Sequence, residues 1–538
     1  MRQRPWSGDG IAMLVSVATW FLLAILLAAT VLWQVHLVGY LDFDGELLST
    51  DAESLYGLRC ARDGGSPYHD FSHAPYAVTL YGPLFYVVPG TIARVLHTSW
   101  IGLIVCGRLY TYLSWLGVAV VIYALGRRIG CQRPAAVTAA LLWLSGTLAS
   151  GWAVAYRPDA TAILLALGAL RVYQRAESAR AVVLTVALLV AAFLHKQTAA
   201  VSVLLAIAVT EIERRRFGRA VAVVGGWMIG AIVGVAVTQW LSRGAFVENA
   251  FEAVAVWAGS GQVWGFLREA MIQGLVVFAG AVISCVVFCH EERLALLRRS
   301  FIISCMLALA ASAKAGAQLN YYLESFALAC VLTAGLLRDE AQPATRRLAV
   351  ALRIGWLGLA ILACAADLSG KVSHFPAWCH DMLDHGAVRA QQARNWERLT
   401  ACLGELNEPV LVEDLYLAVR QCPTPCVVHP RHLEALRGAG LFDDSDLVRR
   451  IADGRFDAII ASLPLEEESP TRQFPSRWLA TAKERYVMEK RCRLGEQGDV
   501  FYVYRPANRE NKPRAEHARD TTMNGSKPPQ PRLVKEDS

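Results

Sequence analysis

Charge is what this chain has least of. Only 18% of its 538 residues are Asp, Glu, Lys or Arg, against about 25% in ordinary soluble domains. Hydrophobic types make up 54% and the mean hydropathy is +0.34. Apolar runs of ~20 residues recur from position 11 to position 366, which excludes a soluble enzyme and implies a polytopic helical membrane protein. A fixed-period repeat is missing, and so is a second Cys or His pair at zinc-site spacing beside "CPTPC". No glycine-rich phosphate loop occurs in the soluble part. A cleavable signal is lacking too: "IAMLVSVATWFLLAILLAATVLWQVHLVG" is longer than an apolar signal core of about 7–15 residues, so it reads as an uncleaved span.

The net charge is +7, yet nucleic acid is not an expected partner. The arginines sit in short loops between apolar runs ("GRRIGCQR", "RVYQRAESAR", "ERRRFGR", "EERLALLRR", "RDEAQPATRR"), where they set topology. The intervening tips are poor in arginine. The positive-inside rule then puts the amino end (1–10) in the cytoplasm and the tips outside. About eleven spans follow, near 11–39, 103–125, 134–152, 157–173, 181–195, 197–211, 219–241, 270–289, 300–313, 321–337 and 348–366. The "HKQT" turn makes a hairpin of two of them. The segment 81–97, with Pro83, Pro89 and Gly90, is expected to be juxtamembrane or re-entrant within a first extracytoplasmic loop at 40–102.

The transmembrane part (11–366) gives way at 367–508 to β-type runs among helical patterns: "EPVLVED", "CVVHP", "FDAIIASLP" and "GDVFYVYRP". These predict an extracytoplasmic α/β domain. The tail at 509–538 lacks apolar periodicity and is expected to be disordered. Cys422 and Cys426 in "CPTPC" have the spacing of a small disulfide loop.

The polar groups converge on the expected outer side: the acidic loop "LDFDGELLSTDAESLYGLRCARDGGSPYHDFSHAPY", then "YRPD", "HKQT", the 243–268 loop and "KAGAQLNYYLE". Ionisable groups at membrane depth are costly, so their coincidence at one face marks a site. They suit an anionic, lipid-linked substrate. Arg157, Lys196 and Lys314 are placed to neutralise a phosphate; Asp159, His195, Gln197, Asn320, Tyr321 and Tyr322 share that donor region. The carboxylates Asp42, Asp44, Asp51 and Glu53 are candidates for a base, or for holding a divalent metal such as Mg or Mn.

The set formed by "TDAESLYGLRCARDGGSPYHDF", "YGPLFYVVPG", "RPDATAILLALGAL", "HKQTAAVSVLLA" and "LNYYLES" resembles the GT-C superfamily of membrane glycosyltransferases, nearest its bacterial relatives of protein mannosyltransferase and aminoarabinose transferase. The resemblance covers roughly residues 10–370. It implies transfer of a sugar from a polyprenyl-phosphate donor to a glycan, lipid or protein acceptor outside a bacterial inner membrane, with a first-loop Asp as base. By position that Asp is Asp51 in "TDAE", with Asp42 or Asp44 next. The family's adjacent Asp-Glu pair is split here by Ala52, which leaves Glu53 in play. The acceptor groove falls on the segment holding Tyr68, His73 and Tyr81, where Tyr-Gly-Pro replaces the paired prolines of many relatives. Two other readings stand beside this one: a transporter or flippase of a lipid-linked or anionic solute, and an assembly protein whose spans are an anchor.

Overall fold

A computed structural model describes residues 8–48, 51–174, 178–256, 261–314, 316–338, 346–404, 406, 409–422, 424–469, 472–495 and 498–507. Most of the expected amino-terminal segment and all of the 509–538 tail lie outside the described residues. Among the described residues, seven helices are long and apolar enough to cross a membrane: Met13–Val38, Trp100–Arg128, Phe217–Leu241, Gly261–Val287, Glu292–Ala311, Leu319–Leu336 and Leu348–His380. The remaining expected spans fall on shorter helices, Arg133–Ser145, Asp159–Tyr173, Ala179–His195 and Val201–Glu213. The last long helix runs from Arg346 to Leu383 without a break, past the expected span end at 366.

The breaks have local causes. Ser178 caps the helix that follows it, its side chain accepting from the Ala181 amide. That helix ends at His195, and Ala200 adopts a left-handed φ of 71° before the next begins at Val201. "HKQT" is therefore a tight polar turn between two apolar helices.

The first loop folds into two short helices, Asp51–Asp63 and Pro83–Val95. Pro83 sits in the first turn of its helix, where a missing N–H costs nothing. The two helices cross closely because glycines line the contact. A Cβ on Gly57 would lie 2.5 Å from the Tyr86 ring, and one on Gly90 would lie 2.7 Å from the Ala61 Cβ. The Gly82 amide donates to the His195 carbonyl at 3.1 Å, which pins this loop to the "HKQT" turn.

Strand β1 (Tyr76–Ala77) belongs to the same loop and pairs in parallel with β3 (Val427–Val428) of the carboxyl-terminal region. That region holds a helix at His385–Leu403 and a four-stranded sheet of β2 (Val410–Val412), β4 (Ala458–Ala461), β5 (Tyr486–Arg493) and β6 (Val500–Pro506), in the order β2-β4-β6-β5. β2 and β4 are parallel; β6 runs antiparallel to both β4 and β5. A disulfide joins Cys402 to Cys492 across a sequence separation of 90, a pairing that spacing alone did not indicate. Cys422 and Cys426 are both buried. Leu55, Leu58 and Tyr68 of the first loop share one apolar cluster with Trp396, Leu417 and Phe501 of the carboxyl-terminal region. The sheet is thus packed onto the first loop, and this docking builds one wall of the site.

Candidate functional site

The five polar segments meet. The Asn249 side chain accepts from the Thr79 amide at 2.8 Å, and Gln197 donates to the carbonyls of Leu80 and Ala250, each at 2.9 Å. Behind these contacts lie two compartments that share Lys196, Gln197, Asn320 and Tyr321. The larger, about 390 Å³, has apolar walls from Ala162, Ile163, Val201, Leu307 and Ala311, with Asp159, Lys314 and Glu324 among them. The smaller, about 80 Å³, is lined by Glu53, Tyr81, Arg157, His429 and His432.

Lys196 and Arg157 are held by their neighbours. Lys196 Nζ lies 2.5 Å from Asp159 Oδ1 and 4.6 Å from the centre of the Tyr321 ring. Asn320 donates to both Asp159 oxygens at 3.1 and 3.2 Å. Arg157 lies over the Tyr81 and Trp152 rings, 5.3 and 5.5 Å from their centres, and its Nη2 donates to Gln318 Oε1 at 3.3 Å. Burial and, second, the charge of Lys196 lower the pKa of Lys314. Two ammonium groups close enough to repel each other are what a bound anion relieves.

Glu53 is the unusual carboxylate. It is 1% exposed, and neither oxygen has a hydrogen-bond partner at normal geometry. Burial pushes its pKa up to about 7, against the opposing pulls of Arg157 and of the Leu80 amide. A carboxylate that takes up and releases a proton near neutrality suits a general base.

Asp51, two residues away, is fully buried outside both compartments. Its Oδ2 pairs with Arg108 Nη2 at 3.1 Å and its Oδ1 accepts from the Tyr156 amide at 2.8 Å. Arg108 also donates to the carbonyls of Tyr40, Phe43 and Gly45. Asp44 is held by Arg420 and Tyr416, each at 2.7 Å, and by Trp100 at 3.1 Å. Asp42 meets Arg389 and, at 3.1 Å, His385. These carboxylates fasten the first loop to its surroundings.

The other expected residues divide the same way. Tyr81, Asp159, Gln197, Lys314 and Tyr321 line the compartments. His195 lies outside both, bonded to the Tyr110 hydroxyl at 2.6 Å and the Ala191 carbonyl at 2.8 Å. Tyr322 accepts from Ser312 at 3.3 Å, and Tyr68 donates to the Tyr81 carbonyl at 2.8 Å. His73 is exposed and pairs with Asp70 at 3.1 Å. Among the described residues, no group of three or more His, Cys, Asp and Glu side chains is gathered as a metal ion would require.

No family model matches this chain, and neither does any curated protein. Solved structures do. ArnT from Cupriavidus metallidurans in the apo state superposes with a TM-score of 0.57 at 15% identity, over 90% of this chain and 98% of that one. The same protein bound to undecaprenyl phosphate gives 0.56 at 14% identity, over 89% and 97%. The chain has the GT-C fold. The seven helices long and apolar enough to cross a membrane, counted among the described residues, make it a multi-pass membrane protein. The mycobacterial arabinofuranosyltransferase AftD is matched more loosely, with a TM-score of 0.47 at 14% identity over 90% of this chain and 40% of that one.

Sequence reasoning missed His429, His432 and Glu324. Glu324 carried a readable signal, an acid at the head of an apolar helix. The histidines carried none, because only the docking of the sheet brings them to the first loop.

Proposed function

We propose that the protein transfers a sugar from a polyprenyl-phosphate donor to a glycan, lipid or protein acceptor of the cell envelope. The reaction takes place on the extracytoplasmic face of a bacterial inner membrane, with the amino end in the cytoplasm and the sheet domain outside. The observation that carries this reading is Glu53, a buried carboxylate with no hydrogen-bond partner at normal geometry, in a compartment that shares Lys196, Gln197, Asn320 and Tyr321 with an apolar one lined by Lys314. The match to a solved ArnT that holds undecaprenyl phosphate supports the donor class.

In this reading the apolar walls take the first isoprene units and Lys196, Lys314 and Arg157 face the phosphate. Glu53 removes the proton from the acceptor hydroxyl as its oxygen bonds to sugar C1. The C1–O bond to phosphate breaks, and its electron pair leaves on the polyprenyl phosphate. The cationic groups stabilise the charge that develops there. Direct displacement inverts the anomeric centre. Asp51 holds the helix that presents Glu53, through Arg108 and the Tyr156 amide.

The test uses purified protein, a panel of radiolabelled polyprenyl-phosphate sugars and an envelope extract. Transfer of label by the wild type, lost in a folded Glu53→Gln variant, is the expected result. Movement of the lipid across liposomes without cleavage of its sugar would replace this reading with the transporter.

A further inference from the structure

His429 is the point where the sheet domain reaches into the site. It follows β3 directly, and β3 is fixed in register on β1, with the Tyr76 amide donating to the Cys426 carbonyl at 2.8 Å. His429 has a φ of 71°, a left-handed conformation that is strained for a residue with a side chain. Its Nδ1 accepts from the His432 amide at 3.1 Å and caps the helix Pro430–Gly438. With Nδ1 committed as an acceptor, the neutral ring carries its proton on Nε2. That nitrogen lies 3.7 Å from Glu53 Oε2. Burial, and then the neighbouring His432, keep the ring neutral down to about pH 3.

We propose that His429 is a positioning residue for Glu53: its Nε2–H closes onto the carboxylate as Glu53 ionises, so that the base is complete only when the sheet domain is docked on the first loop. This rests on the reading of Glu53 as the base. The strain at His429 has a geometric reason under this proposal. A right-handed residue here would point its side chain elsewhere, whereas the cap and the φ of 71° together aim Nε2 into the compartment. Arg157, Tyr81 and Tyr86 are the other charged or titratable groups facing Glu53. His432, Arg157 and Arg431 face His429. Among these, His429 is the one whose proton lies between its own ring and a Glu53 oxygen, and among the described residues it and His432 are the domain's contributions to the small compartment.

Two variants separate positioning from folding. His429→Asn keeps a residue that tolerates left-handed backbone and caps helices but is too short to reach Glu53. His429→Gln restores an N–H at about the same reach. Transfer rates are measured against pH for each full-length protein. In parallel, the infrared carboxyl band that disappears in Glu53→Gln is titrated in detergent without substrate. His429→Asn should lower kcat about tenfold, leave the donor KM unchanged, and move both the acid limb and the infrared titration about one pH unit upward, since a donor to the charged form is lost. His429→Gln should recover most of each change. An infrared titration that stays put in His429→Asn overturns the positioning role, even if thermal stability falls. A shifted titration with no transfer from any donor upholds the Glu53–His429 pair and overturns the transferase reading instead.

Discussion

The mouth of the first span and the small compartment below it bury carboxylates in opposite ways. At the mouth, Asp44 is surrounded by Arg420, Tyr416 and Trp100, and Asp51 by Arg108 and the Tyr156 amide. In the compartment, Glu53 is as deeply buried but has no hydrogen-bond partner at normal geometry, with the Leu80 amide, Arg157 and His429 nearby. The first arrangement satisfies each carboxylate with donors; in the second, burial raises the proton affinity of Glu53. The paired acids therefore fasten the loop, and Glu53 is the first-loop carboxylate that this pairing leaves out.

The strongest test of that contrast is Glu53→Gln. It removes the proton acceptor and little volume, so transfer should fall by about 10³-fold with near-native thermal stability. Radiolabel transfer and a melting curve on the same preparation check it. Asp51→Asn should do the reverse. It leaves the buried Arg108 without its counter-charge, although three backbone carbonyls still accept from it. The expected cost is about 3 kcal/mol of stability, with the activity of the folded fraction kept within about threefold. A stable but inactive Asp51→Asn protein would break the comparison and return the base to Asp51.

The pH dependence sharpens it further. Glu53 ionises near 4.5 in the unfolded chain and at about 7 when folded, so between those values the folded form binds the extra proton. The stability contributed by this group thus falls as pH rises from about 4.5 to about 7, by about 3 kcal/mol. His429 has the opposite sign, because its folded pKa of about 3 lies below its ordinary value. Its stabilisation is lost as pH falls toward 3. The two slopes offset each other in the wild type. The informative quantity is the difference between wild type and Glu53→Gln, which should change in favour of the variant across pH 4.5–7. Activity runs the other way and should rise through pH 7, as the base ionises.

Much of this was legible in the sequence, and for identifiable reasons. Apolar runs broken by arginine-rich loops locate helices because bilayer thickness fixes their length. Polar tips between such helices are costly, so Arg157, Asp159, Lys196, Lys314 and Asn320 stood out and do converge. The different surroundings of Asp51 and Glu53 were not legible. Two carboxylates two residues apart on one helix look alike until Arg108, which lies in another helix, is placed against one of them. His429 was illegible for the same reason, since its approach depends on a two-residue strand pairing between segments 351 residues apart (register Tyr76 with Val427 and Ala77 with Val428). Short-range pattern reports which groups are buried; which of them are already satisfied is a tertiary fact.

The smallest expected effects lie where the fastening is redundant or wet. Asp44→Asn loses the charge facing Arg420 but keeps an oxygen for Tyr416 and Trp100. The Arg420 guanidinium also lies over the Trp396 ring, 4.1 Å from its centre, so it is not stranded. The cost should be about 1–2 kcal/mol, seen as earlier protease cleavage between the last long helix and the sheet. His73→Ala removes an exposed pair with Asp70 and should change stability by less than about 0.5 kcal/mol. If Asp44→Asn slowed transfer as much as it loosened the domain, the sheet would have to be docked for turnover. The fastening at the mouth would then serve the same end as the ring of His429, and the two regions would differ in distance from the chemistry rather than in kind.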